Sequence, residues 1–273
     1  MKEIKLAYSD LYNAGDLMNV DIVEKLSGGR VVRSKTYCAE MTAIGGAFIG
    51  LQYSEKLTQR ICQHMLKVIY GKKPIYIWGS GFLHDYNNRG FYRENLKVCA
   101  VRGAKTQQKL KDLTGKFYDV PLADAGLLIE MLMDDKPEKK YKIGLIPHMW
   151  HQQEPAVVDM AGRDGVHLID IKQTPQKVAN EIAECETIAS TSLHGLVFAD
   201  ALHIPNMHII GDAPLRGGNF KFEDYYSSFG IEDNVCVLSK HIPTAEEIID
   251  SYRVDYDLVE QKKKQLVESF PEF

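Results

Sequence analysis

Short apolar runs alternate with segments of helical spacing along most of this chain. The second half is the most regular: strands are predicted at 142–147, 166–171, 187–190 and 206–210, with helices at 153–161, 175–184 and 192–202 between them. Such alternation predicts a parallel sheet covered by helices. The first half has the same character with less regularity. We therefore predict two Rossmann-like lobes that face one another across a cleft.

A charged, proline-containing stretch, DDKPEKKYK, interrupts this pattern from Asp134 onward. Its composition is typical of a linker. The predicted units are a first lobe over residues 1–134, a second lobe over 135–250 and a helical segment over 251–273. The last helix carries an apolar stripe, so it is expected to cross back and brace the first lobe.

The stretch ETIASTSLHGLVFADALHIP, residues 186–205, predicts a buried strand that runs directly into a helix. A hydroxyl of Thr191 or Ser192 is expected to cap that helix, and Leu193, Leu196, Val197 and Leu202 are expected to lie near one face of it. His194 then lies in the first turn, where free backbone N–H groups and the helix dipole favour an anionic ligand. Taken alone, a histidine in this position is more often a core side chain than a catalytic residue.

Four further residues have a candidate chemical role and also a structural alternative. Arg102 follows the predicted strand at 96–101, where ligands of open α/β sheets bind, and a structural salt bridge explains it equally well. For Asp16, a helix cap is favoured over a ligand contact. For His148 and His151, a place at a cleft edge is favoured over a metal site.

Composition narrows the class of protein. The chain has 273 residues, 45% of them hydrophobic and 26% charged, with a net charge of -4, which fits an enzyme-sized globular protein and gives no reason to expect nucleic-acid binding. The five cysteines form no CxxC pair, so reduced thiols are expected. Without a leader-like start or an apolar run of roughly 18 residues, a cytoplasmic location is expected. Neither a GxSxG elbow nor a P-loop occurs.

The order of several short motifs resembles the polysaccharide pyruvyl transferase family, whose members move the enolpyruvyl unit of phosphoenolpyruvate onto sugar hydroxyls as a ketal. In chain order the motifs are Asn13-Ala14-Gly15-Asp16, Trp78-Gly79-Ser80-Gly81, Val101-Arg102-Gly103, Asp124, Ile146-Pro147-His148 and Thr191-Ser192-Leu193-His194-Gly195, followed by Ala199 and Pro205. Each motif alone is weakly specific, whereas the ordered set covers most of the chain.

This resemblance implies an α/β fold in a glycosyltransferase-B-like arrangement, with phosphoenolpyruvate as donor substrate and with no cofactor and no metal. It implies catalytic roles for His194, as a general acid, and for Arg102, as a cation on the donor. Substrate contacts are implied for Asn13, Gly15, Asp16, Gly79, Ser80, Gly81, Asp124, His148, Ser192, Leu193 and Gly195. The first lobe is expected to bind the acceptor, a saccharide or a lipid-linked saccharide, with peripheral contact to a membrane.

One departure from the family pattern concerns the donor site. Some members carry arginine immediately before the Leu-His pair, where this chain has Ser192, so another cation or another mode of donor binding is required. His194 can act as an acid only when it is charged, which a bound dianionic phosphate favours and a helix N-terminus opposes. Two alternatives stay open, a nucleotide-sugar-dependent glycosyltransferase and a non-catalytic binding protein of glycan assembly.

Overall fold

Two parallel five-stranded sheets form the framework of the protein in a computed structural model that describes residues 1–9, 13–134, 137–211 and 218–273. The first sheet, ordered β2-β1-β3-β4-β5, contains β1 Glu3–Ala7, β2 Arg30–Arg33, β3 Met41–Thr42, β4 Ile75–Ile77 and β5 Leu96–Val98. The second, ordered β10-β9-β8-β6-β7, contains β6 Tyr141–Ile146, β7 Val166–Leu168, β8 Cys185–Ser190, β9 Asn206–Ile210 and β10 Val235–Val237. The predicted α/β class is confirmed.

Helices connect the strands and cover the sheets. They are α1 Ala14–Ser27, α2 Leu57–Tyr70, α3 Ala104–Thr114, α4 Pro155–Ala161, α5 Pro175–Ala183, α6 Leu193–Ala201, α7 Phe220–Ser227, α8 Ala245–Ser251 and α9 Tyr256–Glu268, with 3₁₀ segments at Ala47–Gly50 and Ala125–Leu132. The alternation predicted for the second half is present. No helix within the described ranges has the length and apolar character needed to cross a bilayer.

Two strands and both 3₁₀ segments were not predicted from the sequence. β2 has four residues and β3 has two, which is too short for a period-2 pattern to emerge. The segment Ala125–Leu132 was not recognised as an element of its own, although its first five residues are buried. It packs against α1, α5, α6 and α9, so it lies where the two lobes meet.

The last helix returns to the first lobe, as predicted. The indole Nε1 of Trp78 donates to the carbonyl of Leu266 over 2.9 Å, and Nζ of Lys262 donates to the carbonyl of Leu122 over 2.7 Å. One buried apolar cluster also spans both sheets and α9. The predicted boundary after residue 134 borders residues 135 and 136, which lie outside the described residues, and the division into units stays a prediction.

Both sheets end at the same cleft. Ala7 ends β1 and Thr42 ends β3 in the first sheet, while His148 follows β6 and Ser192 follows β8 in the second, and all four residues line one cavity. Ligands of open α/β sheets bind at the carboxyl ends of the strands. The fold therefore brings loops from both lobes to one place.

Candidate active site

A cavity of about 490 Å³ lies between the lobes. Seven of the residues singled out in the sequence line it, namely Asn13, Asp16, Arg102, His148, Ser192, Leu193 and His194. Its volume lies in the range that binds small organic ligands. The sequence thus located the cavity, although it did not identify every group in it.

The turn between β8 and α6 is closed by a different hydroxyl from the one expected. Ser192 occupies the N-cap position of α6 but makes no side-chain cap bond. Instead, Oγ of Ser190 accepts from the Ser192 amide over 2.9 Å, and Oγ1 of Thr191 accepts from the His148 amide over 2.7 Å. The expected cap by Thr191 or Ser192 is wrong, because Ser190 already holds the turn. The Ser192 side chain lines the cavity instead.

The helix that follows is buried on every side. All nine residues of α6 are buried, so the helix is enclosed on its other sides as well as on the apolar face that the sequence predicts. α6 lies beside β8 and contacts the 3₁₀ segment Ala125–Leu132 on another side. A helix that is apolar all round belongs in a core. His194 is therefore held rigidly at the end of a buried helix.

His194 has an electropositive environment and a buried nitrogen without a partner. A Cβ at Gly15 would overlap the imidazole ring, so the glycine lets α1 approach it. Nε2 is buried and has no hydrogen-bond partner among the described residues. Burial lowers the pKa of His194 to about 3, with further lowering by the charges of Lys221 and Arg102 and by His148. The imidazole is thus neutral in the free protein.

Arg102 lines the cavity and is also a partner in a buried ion pair. Its Nε donates to Oδ2 of Asp224 over 2.9 Å, its Nη2 donates to the carbonyl of Phe82, and the residue is only 1% exposed. A Cβ at Gly81 would overlap the guanidinium. Arg102 therefore forms a structural salt bridge and also lines the cavity.

Asp224 ties α7 to the first lobe. Its Oδ1 accepts from the amide of Thr106 and its Oδ2 from the Thr106 hydroxyl, both over 2.7 Å. A Cβ at Gly103 would overlap the backbone carbonyl of Asp224, so the glycine allows this approach. The Val-Arg-Gly motif is thereby explained by the docking of α7. Lys221 lies three residues before Asp224 on the same helix, and residues so spaced share a face.

Lys221 is the cavity cation that the sequence did not reveal. It lines the cavity, and burial together with the charge of Arg102 lowers its pKa to about 8, against the opposing effect of Asp16. In the sequence, Lys221 is a lone lysine in the aromatic run FKFEDYY, one residue before a short helix that the pattern predicts around residues 222–228. Lys221 is a candidate for the cation required because position 192 lacks arginine.

Asp16 is a cavity carboxyl and not a helix cap. α1 is capped by Asn13, whose Oδ1 accepts from the Gly15 amide over 3.0 Å, so the favoured cap interpretation of Asp16 is wrong. The pKa of Asp16 is raised to about 7 by burial, and the charge of Lys221 opposes this rise. A carboxyl that titrates near neutral pH in a cavity is suited to proton transfer.

The remaining predicted residues are not among those that line the cavity. A Cβ would overlap Ala125 at Gly79 and the Ser190 hydroxyl at Gly195, so both glycines permit close packing. Ser80 donates through Oγ to the Gly45 carbonyl over 2.8 Å. Oδ1 of Asp124 accepts from the Gly126 amide, and burial raises the pKa of this carboxyl to about 6. These residues position the wall, and their predicted substrate contacts stay predictions.

The wall of the cavity is extended by exposed residues that were not predicted. Arg33 and Lys35 come from the first lobe and Trp150 from the second, and all three side chains are exposed to solvent. We call this part the mouth.

Near the mouth, His148 and His151 have ring centroids 5.6 Å apart. Among the described residues, no group of three His, Cys, Asp or Glu side chains is placed to hold a metal ion.

Several known proteins are similar to this chain in sequence. A family model described as polysaccharide pyruvyl transferase matches residues 33–212. An uncharacterised protein, L143 of Acanthamoeba polyphaga mimivirus, is 30% identical over 97% of this chain and 90% of its own length. The succinoglycan biosynthesis protein ExoV of Rhizobium meliloti (strain 1021) is 24% identical over 56% of this chain and 46% of its own length.

Two solved structures are similar over nearly the whole chain at low scores. The calicheamicin glycosyltransferase CalG4 has a TM-score of 0.41 at 10% identity, covering 98% of this chain and 95% of that one. The E. coli ADP-heptose lps heptosyltransferase II has a TM-score of 0.37 at 9% identity, covering 98% and 99%.

Proposed function

The chain belongs to the polysaccharide pyruvyl transferase family and is a transferase, and from this premise we propose that it transfers pyruvate as a ketal from phosphoenolpyruvate to a sugar residue. The acceptor is a cell-surface polysaccharide, an exopolysaccharide or a lipid-linked precursor, and phosphate is released. We place the reaction in the cytoplasm.

The observation that carries the proposal is a small cavity with converging cations. Lys221 and Arg102 line the same 490 Å³ space as the neutral His194, whose buried Nε2 lacks a partner among the described residues. Phosphoenolpyruvate presents a phosphate and a carboxylate on three carbons, so it is compact and highly anionic. Buried cations bind such an anion far more strongly than exposed ones do.

The first chemical requirement is a proton on C3 of the donor, because protonation makes C2 electrophilic. The resemblance assigned this role to His194, which is neutral until an anion binds. Asp16 carries a proton before any anion binds, since a carboxyl with a pKa of about 7 is partly protonated at neutral pH. A bound anion raises this pKa further. We assign the C3 proton to Asp16.

The atoms then balance without a cofactor. An acceptor hydroxyl oxygen bonds to C2, the C2–O bond to phosphate breaks with its electron pair, and a second hydroxyl oxygen completes the ketal. C3 gains one proton from Asp16 and phosphate leaves with another, and the two acceptor hydroxyls give up one proton each, which restores both donors. We propose that His194 contacts the phosphate through Nε2, and that its pKa rises when the dianion is bound, so that it protonates the departing group.

The acceptor would enter through the mouth. Arg33, Lys35 and Trp150 are exposed there, and aromatic and charged side chains in contact with water suit a large polar ligand. The first lobe supplies both cations of the mouth. This arrangement supports the assignment of the first lobe to the acceptor.

Phosphate release tests the proposal. Purified protein is incubated with phosphoenolpyruvate and a panel of saccharide and lipid-linked acceptors, and phosphate and the pyruvylated product are measured. We expect acceptor-dependent release that His194→Gln reduces by about 10²- to 10⁴-fold. His241→Gln, at an exposed histidine outside the cavity, is the matched control and retains activity.

The proposal fails if no acceptor supports phosphate release and phosphoenolpyruvate does not raise the melting temperature. Stabilisation by a nucleotide sugar without stabilisation by phosphoenolpyruvate would indicate a glycosyltransferase instead. Tight donor binding without turnover on any acceptor would indicate a binding protein.

A further inference from the structure

Helix α2 exposes its apolar side to solvent. None of its fourteen residues is buried, and the exposed fractions are 61% for Leu57, 57% for Ile61, 68% for Met65, 88% for Val68 and 61% for Ile69. At 100° per residue these five side chains fall within an arc of about 120°. A helix of a globular protein normally turns such an arc toward the core. α2 therefore has an apolar surface that the described residues leave uncovered.

The polar side of α2 holds the helix to the first lobe. Nε2 of Gln63 donates to the Gln52 carbonyl over 3.1 Å, and Oε1 of Gln63 accepts from the Ser54 amide over 2.7 Å. The rings of Tyr53 and His64 lie 4.7 Å apart. These contacts fix the orientation of the helix, so the outward direction of the apolar arc is built into the fold.

The surroundings of the arc are basic, although the whole chain has a net charge of -4. Residues 55–73 contain one acid, Glu55, and five cations, Lys56, Arg60, Lys67, Lys72 and Lys73. Lys67 also pairs with Glu94 over 2.6 Å. An exposed apolar arc with a basic border is the pattern of a helix that lies in the interface of an anionic bilayer.

We propose that α2 binds the surface of an anionic membrane, with its apolar arc in the headgroup region and its lysines and arginine on the lipid phosphates. A second copy of the chain fits less well. A 14-residue helix is about 21 Å long and about 10 Å wide, so pairing two of them buries far less than the about 800 Å² per partner of a stable interface. Pairing would also bring the two basic borders together.

The position of α2 gives this surface a use that rests on the proposed function. The rings of Tyr70, at the end of α2, and Tyr37 have centroids 5.5 Å apart, and Tyr37 directly follows Lys35 and Thr36, which line the cavity. A membrane bound at α2 therefore lies on the side of the first lobe that leads to the mouth. A saccharide attached to a lipid carrier would then reach the cavity while the lipid stays in that membrane.

Vesicle flotation tests the surface without any need for turnover. The probes are phosphatidylcholine vesicles with and without phosphatidylglycerol, at low and high salt. We expect binding to the anionic vesicles that salt weakens, and a fall of at least about tenfold in the double variant Ile61→Gln/Met65→Gln. Ile249→Gln, at a 50% exposed isoleucine on α8, is the matched control and binds like wild type.

Several results would overturn the proposal. They are no flotation, equal flotation on neutral and anionic vesicles, an equal loss in Ile249→Gln, or a concentration-dependent dimer that the double variant dissolves while vesicles are ignored. Phosphate release with a water-soluble acceptor is measured in the same variants, and we expect it to be unchanged. Loss of vesicle binding alone contradicts only the membrane proposal and leaves pyruvyl transfer untouched. Vesicle binding without turnover contradicts only the pyruvyl transfer proposal.

Discussion

The buried end of the cavity and its mouth both carry positive charge, but in different environments. At the buried end, Arg102 is 1% exposed and forms an ion pair with Asp224. The charge of Asp16 raises the pKa of Lys221 there, against the effect of burial. At the mouth, Arg33 and Lys35 are exposed to water. A charge interacts several times more strongly when water is excluded. This difference supports our proposal that the small anionic donor binds at the buried end and the larger acceptor at the mouth.

The largest effect is expected from removal of the acid at the buried end. Asp16→Asn keeps the shape of the side chain but cannot donate a proton, so turnover should fall by about 10²- to 10⁴-fold. In wild type, kcat/KM should decline as the pH rises through about 7, because the protonated carboxyl is lost. In the variant this decline should vanish. Asp112→Asn, at an exposed position, should behave as wild type.

A pH profile that is identical in wild type and Asp16→Asn would remove Asp16 from the reaction. If the decline instead moved only in His194→Gln, the proton donor would be His194, as the resemblance implied.

The next largest effect is expected from removal of the buried cation. Lys221→Met preserves most of the side-chain volume and should weaken phosphoenolpyruvate binding by about 10- to 100-fold, since hydrogen bonds to charged groups contribute about 1.5–3 kcal/mol. Calorimetric titration measures the affinity, and the exposed Lys264→Met is the control. Unchanged donor affinity in Lys221→Met would mean that the donor binds elsewhere or through Arg102 alone.

The smallest effect is expected at the mouth. Lys35→Gln should raise the KM for the acceptor by less than about fivefold, because an exposed charge contributes about 0–1 kcal/mol. Donor affinity should not change. Steady-state kinetics with each substrate varied in turn measures both quantities. A large loss of donor affinity in Lys35→Gln would contradict the division between the buried end and the mouth.

The second lobe was the part of the fold most readable from the sequence. β6 and β8 each end in four consecutive buried residues, IGLI and TIAS, so they appear as short uncharged runs between helical segments. β2 and β3 were missed because two to four residues carry no period. Helical spacing over residues 52–70 indicates α2 in the sequence. It does not indicate the outward direction of the apolar arc, because periodicity predicts an apolar face without saying what that face contacts.

The site was readable where its residues stand in local motifs. Arg102 and His194 follow strand ends, and their positions in the cavity followed from that. The position of Lys221 in the cavity could not be predicted in this way, because it depends on the contact between Arg102 and Asp224, which are 122 residues apart in the sequence. The predicted cap of α6 was wrong for a similar reason. Three adjacent residues, Ser190, Thr191 and Ser192, carry hydroxyls that could close the turn, and only the folded geometry selects Ser190.

Calorimetry of phosphoenolpyruvate binding, performed near pH 8 in buffers of different ionisation enthalpy, tests whether the donor binds at the buried end of the cavity. The donor anion should raise the pKa of Lys221, which is about 8 in the free protein, and those of Asp16 and His194. We therefore predict binding with net uptake of protons, and reduced uptake in Lys221→Met. Absence of binding, or binding with no proton uptake in any buffer, would contradict a donor site at the buried end of the cavity.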